Sequence, residues 1–286
     1  MMYHLAKPSR GVSYVLLLVL LQPQVSQAEE WISQGEEIFE FGFGVFLPSF
    51  SSSVRVDNTD LDLGTNVDLE NDLGLDSQKS TLWTRGMWRF SENHRVSLAY
   101  FNISRNSVAI AQTDIEIGEE IFPAGATLTT SFGFQSIPIV YSYSFIKSRK
   151  HELAGSFGIH IDNLKLKVNG DAFVGGGGTV DGEVNAKVQV PLPLFGLNYE
   201  YHVNKRWTNG IHAEFFSLDL EDSNEFGVSG TIFNVRASTE YWFYNNFGVG
   251  FAVNWFSMDV DVKDSGWRGG IDYEYLGPQV YANMRF

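Results

Sequence analysis

The chain has 286 residues, no cysteine, and 34 acidic residues against 20 basic ones, for a formal net charge of −14. Lack of cysteine excludes a disulfide framework, thiolate metal sites, a cysteine nucleophile and a lipoprotein anchor, and the acidic balance disfavours nucleic acid as a partner. Past the first thirty residues no apolar run approaches the ~20 residues that a spanning helix needs, although 15% of the chain is aromatic and 28 residues are glycine.

The first element reads as an export signal. Lys7 and Arg10 supply a positive start, and Val12 to Leu21 form an apolar run too short to span a bilayer. Small Ser26 and Ala28 then precede Glu29, which places a signal peptide at 1–28 with cleavage after Ala28. Its removal leaves 18 basic against 34 acidic residues, a net charge near −16. Residues 29–37 form a short segment, and 38–286 hold one all-β domain with no Pro- or Ser-rich linker.

From there the hydrophobic period is two. Candidate strands fall near 38–50, 80–90, 95–108, 127–146, 151–166, 184–203, 207–220, 227–243, 247–262 and 268–286, about ten (8–12) and even in number. The pattern is clearest late in the chain: Phe233, Val235, Ala237, Thr239, Tyr241 and Phe243 share one face. After Asn245-Asn246, Phe247, Val249, Phe251, Val253 and Trp255 repeat it, so the two runs form a hairpin. Apolar positions change parity around Pro191 and Pro193, where a bulge is expected to exchange the faces. Connections alternate between short ones, at 91–94, 147–150, 204–206 and 244–246, and long ones, at 51–79, 109–126, 167–183, 221–226 and 263–267. Such lopsided hairpins predict a closed antiparallel up-and-down transmembrane β-barrel.

A soluble barrel would alternate in the same way, with its apolar face inward. Three features favour the membrane. Aromatic residues gather near strand ends: Trp88, Phe90, Tyr143, Phe145, Tyr199, Tyr201, Trp207, Tyr241 and Phe243 toward the short turns, and Trp255, Trp267, Tyr273 and Tyr275 toward the long loops. Charges occupy the opposite face, where Arg85, Arg89, Glu152, His160, Asp162, Glu200, Arg236, Glu240, Asp272 and Glu274 are expected to form a lumen network. Finally, in the last strand Val280, Ala282, Met284 and Phe286 alternate with Tyr281, Asn283 and Arg285.

On that last strand the chain resembles the Gram-negative outer-membrane β-barrel proteins. The resemblance implies that Phe286 is the assembly signal read by the barrel-assembly machinery, and that the barrel sits in the cell outer membrane among its lipid and lipopolysaccharide. With the short turns and both termini on the periplasmic side, a monomer is expected. The resemblance carries a location and a fold and no activity.

Sites of chemistry are sparse. The first long loop clusters Asp60, Asp62, Asp68, Glu70 and Asp72, candidate Ca²⁺ ligands without EF-hand spacing. Interleaved leucines there point instead to a short segment folded onto the rim. Of the histidines only His160 and His212 fall well within strands, and Asp162 shares a face with His160. Ser156 also shares that face but lies roughly 13 Å away along the strand, too far to serve as its nucleophile. Gly175–Gly178 has no Walker spacing, and there is no HExxH motif. No cofactor is expected.

About ten strands leave a narrow lumen, so the expected function is non-enzymatic: a narrow or plugged pore whose extracellular loops form the contact surface. Inward Gly42, Gly44, Gly248 and Gly250 either leave space or serve curvature. Alternatives are an outer-membrane hydrolase or acyltransferase using His160 with a neighbouring Ser or Asp, and an adhesin working through the loops.

Overall fold

The computed structural model describes residues 31, 32, 35–58, 66–117, 120–174, 178–222, 226–264 and 267–286. The export signal, Asp60, Asp62 and most of the 175–178 glycine run lie outside the described residues. The strands are β1 (Phe39–Phe46), β2 (Ser49–Asn58), β3 (Asn66–Asp68), β4 (Thr81–Ser91), β5 (His94–Ile110), β6 (Ile115–Ile117), β7 (Glu120–Phe122), β8 (Thr127–Lys147), β9 (His151–Val174), β10 (Gly178–His202), β11 (Trp207–Asp222), β12 (Phe226–Trp242), β13 (Phe247–Asp264) and β14 (Trp267–Arg285). Ten of them close a ring in the order β1-β4-β5-β8-β9-β10-β11-β12-β13-β14, and β14 pairs back onto β1. Every neighbouring pair is antiparallel.

The seam between β14 and β1 joins the last strand of the ring to the first. Glu40 faces Arg285 and Phe46 faces Gln279 across it. Ile38 N and Phe39 N both donate to Phe286 O, at 2.7 and 3.0 Å. Beyond Leu47-Pro48, β2 continues along β14 in the same register, from Leu276 opposite Ser49 to Trp267 opposite Asn58. It carries β3 on its other edge. The β6–β7 hairpin is a separate small sheet in the loop between β5 and β8.

The apolar side of the wall changes along each strand, and this change controls the lumen. Near the short turns apolar side chains point outward: Phe43 and Val280 are 58% and 56% exposed, and Phe157, Phe195, Phe251 and Leu276 are exposed likewise. Further along the same strands the inward positions become apolar, as at Phe134, Leu164, Leu166, Phe256 and Met258, all buried. The outward ones there are polar, as at Gln189, Lys165 and Asp259. An outer face that meets lipid must be apolar, and a wall that meets water must keep its apolar side within.

This inversion corrects the expected bulge. The β9–β10 ladder runs without a register shift from Gly178 opposite Val174 to Tyr201 opposite His151. Pro191 and Pro193 lie just past Phe195, the last β10 residue that pairs with β11, so they occupy a one-sided edge that tolerates a missing N–H. The same inversion places Tyr273 and Tyr275 inside the barrel, buried, rather than in an outer aromatic belt. Asp272 and Glu274 alternate with them and are exposed on the outside, so these two do not belong to the lumen network. Glu274 there accepts a hydrogen bond from Trp255 Nε1 at 2.8 Å.

The inward glycines sit against neighbouring side chains and backbone. A Cβ at Gly44 would stand 2.1 Å from Val280 O and 2.5 Å from the Tyr281 Cβ, and one at Gly250 would stand 2.2 Å from the Tyr281 ring. Gly42 lies under Trp83, and Gly248 lies under Trp242. Their missing side chains are the room into which large inward rings pack.

Candidate functional site

The lumen divides into three tiers. At the short-turn end, four arginines from β4, β5 and β12 interleave with carboxylates. Arg89 reaches Glu152 at 3.1 Å and Glu37 at 3.3 Å, and Arg95 reaches Glu152 at 3.2 Å and Glu200 at 2.9 Å. Arg85 pairs with Glu40. Tyr281 donates to Glu240 at 2.9 Å, and Arg236 Nε donates to Gln279 at 3.0 Å. Charges this well buried persist only when paired, and removal of one partner strands the other.

Residues before β1 fold across this end. Trp31 lies under the guanidinium of Arg206, 4.8 Å from the ring centroid. Ile32 N donates to Asn245 Oδ1 at 2.6 Å. Gly35 takes φ +81°, and a Cβ there would come within 2.8 Å of Glu152 Oε2, so the position needs glycine on both counts. Burial, reinforced by the nearby Glu40 charge and opposed by Arg89, pushes the Glu37 carboxyl up to about 7. Glu152, Glu200 and His202 bring their donor atoms within 4.8 Å of one another, a spacing open to a metal. Arg89 and Arg95 already sit on those carboxylates, and two fixed positive charges oppose a cation there.

The middle tier holds His160, Glu214 and His212. The Nε2 atoms of His160 and His212 approach the two oxygens of Glu214 at 3.3 and 3.1 Å. Asn234 donates to Glu214 at 2.8 Å, and Asn254 donates to Asn234 at 2.9 Å. Asn198 contacts His212 Nδ1. A cavity of about 190 Å³ runs between this tier and the first, lined among others by Arg85, Glu200, Arg236 and Gln279. The partner of His160 is therefore Glu214, two strands away on β11. Asp162 lies deeper in the wall, wholly buried and opposite Ser136.

The third tier is apolar and packs across the lumen. Phe134 packs on Tyr273 at 4.6 Å between centroids, Phe256 on Tyr275 at 5.0 Å, Phe46 on Tyr275 at 5.4 Å and Phe101 on Phe134 at 5.8 Å. Each such ring pair adds about 0.5–1.5 kcal/mol beyond the area it buries. Above it, Arg105 lies between the rings of Phe50 and Phe132, 4.5 and 5.0 Å from their centroids, and pairs with Glu70. Leu69, Leu73 and Leu75 of the first long loop, with Ile115, Ile117 and Phe122 of the β6–β7 hairpin, are buried as a lid.

The described part of the acidic loop is folded by its own carboxylates. Asp68 caps its turn, accepting from Glu70 N and Asn71 N at 2.9 and 2.8 Å, and Asp72 accepts from Asp68 N at 2.9 Å. Glu70 accepts from Ser52 N and Oγ at 2.8 and 2.7 Å besides pairing with Arg105. Asp68, Glu70 and Asp72, Ca²⁺ candidates in the sequence, are thus engaged in these contacts within the described residues. The interleaved leucines are the signal that pointed to this packing. Glu214 and Arg105 were missed because their partners come from strands and loops distant in sequence.

A ten-stranded closed ring, apolar outside over a lipid-high band and polar within it, defines an outer-membrane-type β-barrel. No protein-family model matches the chain, and no curated protein matches it. Among solved structures, the chain is similar to the outer membrane protease OmpT from Escherichia coli, at 11% identity and TM-score 0.55, over 91% of this chain and 99% of that one. It also aligns with the Pseudomonas putida toluene transporter TodX at 9% identity and TM-score 0.39, covering 87% of this chain and 90% of that one. A Pseudomonas aeruginosa FadL homologue aligns at 7% identity and TM-score 0.38, covering 87% and 90%. At 11% identity the likeness to the protease is one of fold alone.

Proposed function

We infer that this protein is a closed, non-enzymatic barrel of the outer membrane, with its short turns and both described ends on the periplasmic side and its folded loops as the outer contact surface. The observation that carries this reading is the aromatic layer of Phe46, Phe101, Phe134, Phe256, Tyr273 and Tyr275 across the lumen. A solute entering from the turn end meets the arginine–carboxylate tier and then this layer. The location is supported by the outward apolar band and by the aromatic residues near the turns, such as Trp88, Tyr143, Trp207 and Tyr241.

The hydrolase alternative needs a Ser or Asp within reach of His160 at the loop rim. His160 instead lies below the aromatic layer against Glu214, which favours a structural contact. Planar-bilayer recordings test the reading: the unaltered protein gives no single-channel steps, and the double variant Phe134→Ala, Phe256→Ala, which opens the aromatic layer, gives steps. Stable conductance from the unaltered protein would overturn it.

A further inference from the structure

The short turns differ sharply in charge. The β4–β5 turn carries Glu92 and Asn93, and the β12–β13 turn carries Asn245 and Asn246. By contrast, the β8–β9 turn carries Arg149 and Lys150, and the β10–β11 turn carries Lys205 and Arg206, all four exposed. These two turns are neighbours in space, because β9 pairs with β10 and His202 N donates to Lys150 O at 2.8 Å. Lys147 adjoins the pair and donates to Glu92 O at 2.6 Å. A chain of net charge −14 has therefore placed five of its 20 basic residues on one short arc of one rim.

The arc is continuous with the ring of amphipathic aromatics. His151 lies between Tyr199 and Tyr201, 2.8 Å from the Tyr199 hydroxyl and 5.2 Å from the Tyr201 ring centroid. Trp207, Phe145 and Ile146 are exposed beside it. Aromatic rings of this kind settle at headgroup level, so the four cationic side chains stand at the height of lipid phosphates.

We propose that Arg149, Lys150, Lys205 and Arg206 form a binding site for the phosphate-bearing headgroup of an anionic phospholipid in the leaflet at the turn end. The proposal rests on the transmembrane reading given above. Acyl chains lie along Tyr199, Leu197 and Phe157 of the β9–β10 wall, and the phosphate meets the two turns. Arginine offers paired N–H donors to phosphate oxygens and lysine a mobile point charge. The energy scale for one basic residue near an anionic surface corresponds to about fivefold in affinity.

The test uses full-length processed protein in nanodiscs of phosphatidylethanolamine with a minority of phosphatidylglycerol, extracted into mild detergent and weighed by native mass spectrometry. The unaltered barrel is expected to retain phosphatidylglycerol over phosphatidylethanolamine. Arg149→Ala with Lys150→Ala is expected to lower that retention more than tenfold, Lys205→Ala about fivefold more, and Lys150→Arg to preserve it. Equal retention of both lipids, or an unchanged triple variant, would overturn the proposal. Heat-modifiable gel mobility is read in parallel: its absence in the unaltered protein would count against the transmembrane reading itself, whereas its presence with no lipid preference would sink the lipid site alone.

Discussion

Arg105 on β5 and Glu70 in the first long loop form an ion pair inside a sleeve of aromatic rings, with Ser52 Oγ accepting from Arg105 Nη2 at 3.0 Å. This pair fastens the lid to the wall. Replacement of Arg105 by Met keeps the contact with Phe50 and Phe132 but strands the Glu70 carboxylate. The expected cost is about 3–5 kcal/mol. It should be read as a lowered urea midpoint in detergent and as faster proteolysis within 66–80, and an unchanged cleavage rate would show that the pair does not hold the lid.

Glu37 ties the segment before β1 to pH. Its folded carboxyl is raised to about 7 from an ordinary 4.5, so the docked segment holds a proton that the undocked one releases earlier. Docking is accordingly most favourable below pH 4.5 and weakens as pH rises through 7, by at most roughly 3 kcal/mol. Trp31 fluorescence, altered where the ring meets Arg206, should report undocking across that window. In Glu37→Gln the window should flatten.

The inward glycines make a steric prediction with a built-in control. Gly44→Ala and Gly250→Ala drive a methyl group into Val280 O and the Tyr281 ring, whereas a Cβ at Gly86 meets only the Phe41 ring at 3.6 Å. The first two variants should lose heat-modifiable mobility on refolding, and Gly86→Ala should keep it. Equal refolding of all three would mean that Tyr281 has another place to go.

Phe134 joins three other rings of the aromatic layer. Phe134→Ala removes its contacts with Phe101, Phe256 and Tyr273 and is expected to cost about 3–5 kcal/mol. It should also admit water, detected as transient conductance in bilayers or as faster hydrogen exchange at Phe256 and Tyr273. A variant with full stability and no exchange change would place the seal elsewhere.

Strand number and antiparallel order were legible because each strand announces its period and each short turn its polarity. Phe233 to Phe243 and Phe247 to Val253 fell where the alternation placed them. Faces were harder to read, because parity of apolar residues identifies a side only when the solvent on that side is known. At Tyr273 the apolar side is inward and at Val280 outward, although no residue is inserted between them. The parity change at Pro191 has the same origin. Lumen partners such as His160 and Glu214 depend on register accumulated across β9, β10 and β11, which no local window contains. The lid leucines were readable because leucine at Leu69, Leu73 and Leu75 has no reason to lie in water.

The inversion of the wall also sets its height. With 24 residues in β9, a rise of ~3.4 Å per residue and a tilt near 40°, the β9–β10 side of the wall rises to about 60 Å, over twice the ~25 Å that hydrocarbon covers. The part above the lipid must therefore fold by the rules of a water-soluble β-cylinder while the part below folds by those of a membrane. Surfactant shields only the lower storey, so denaturant should unravel the upper one first and leave a stump that still resists.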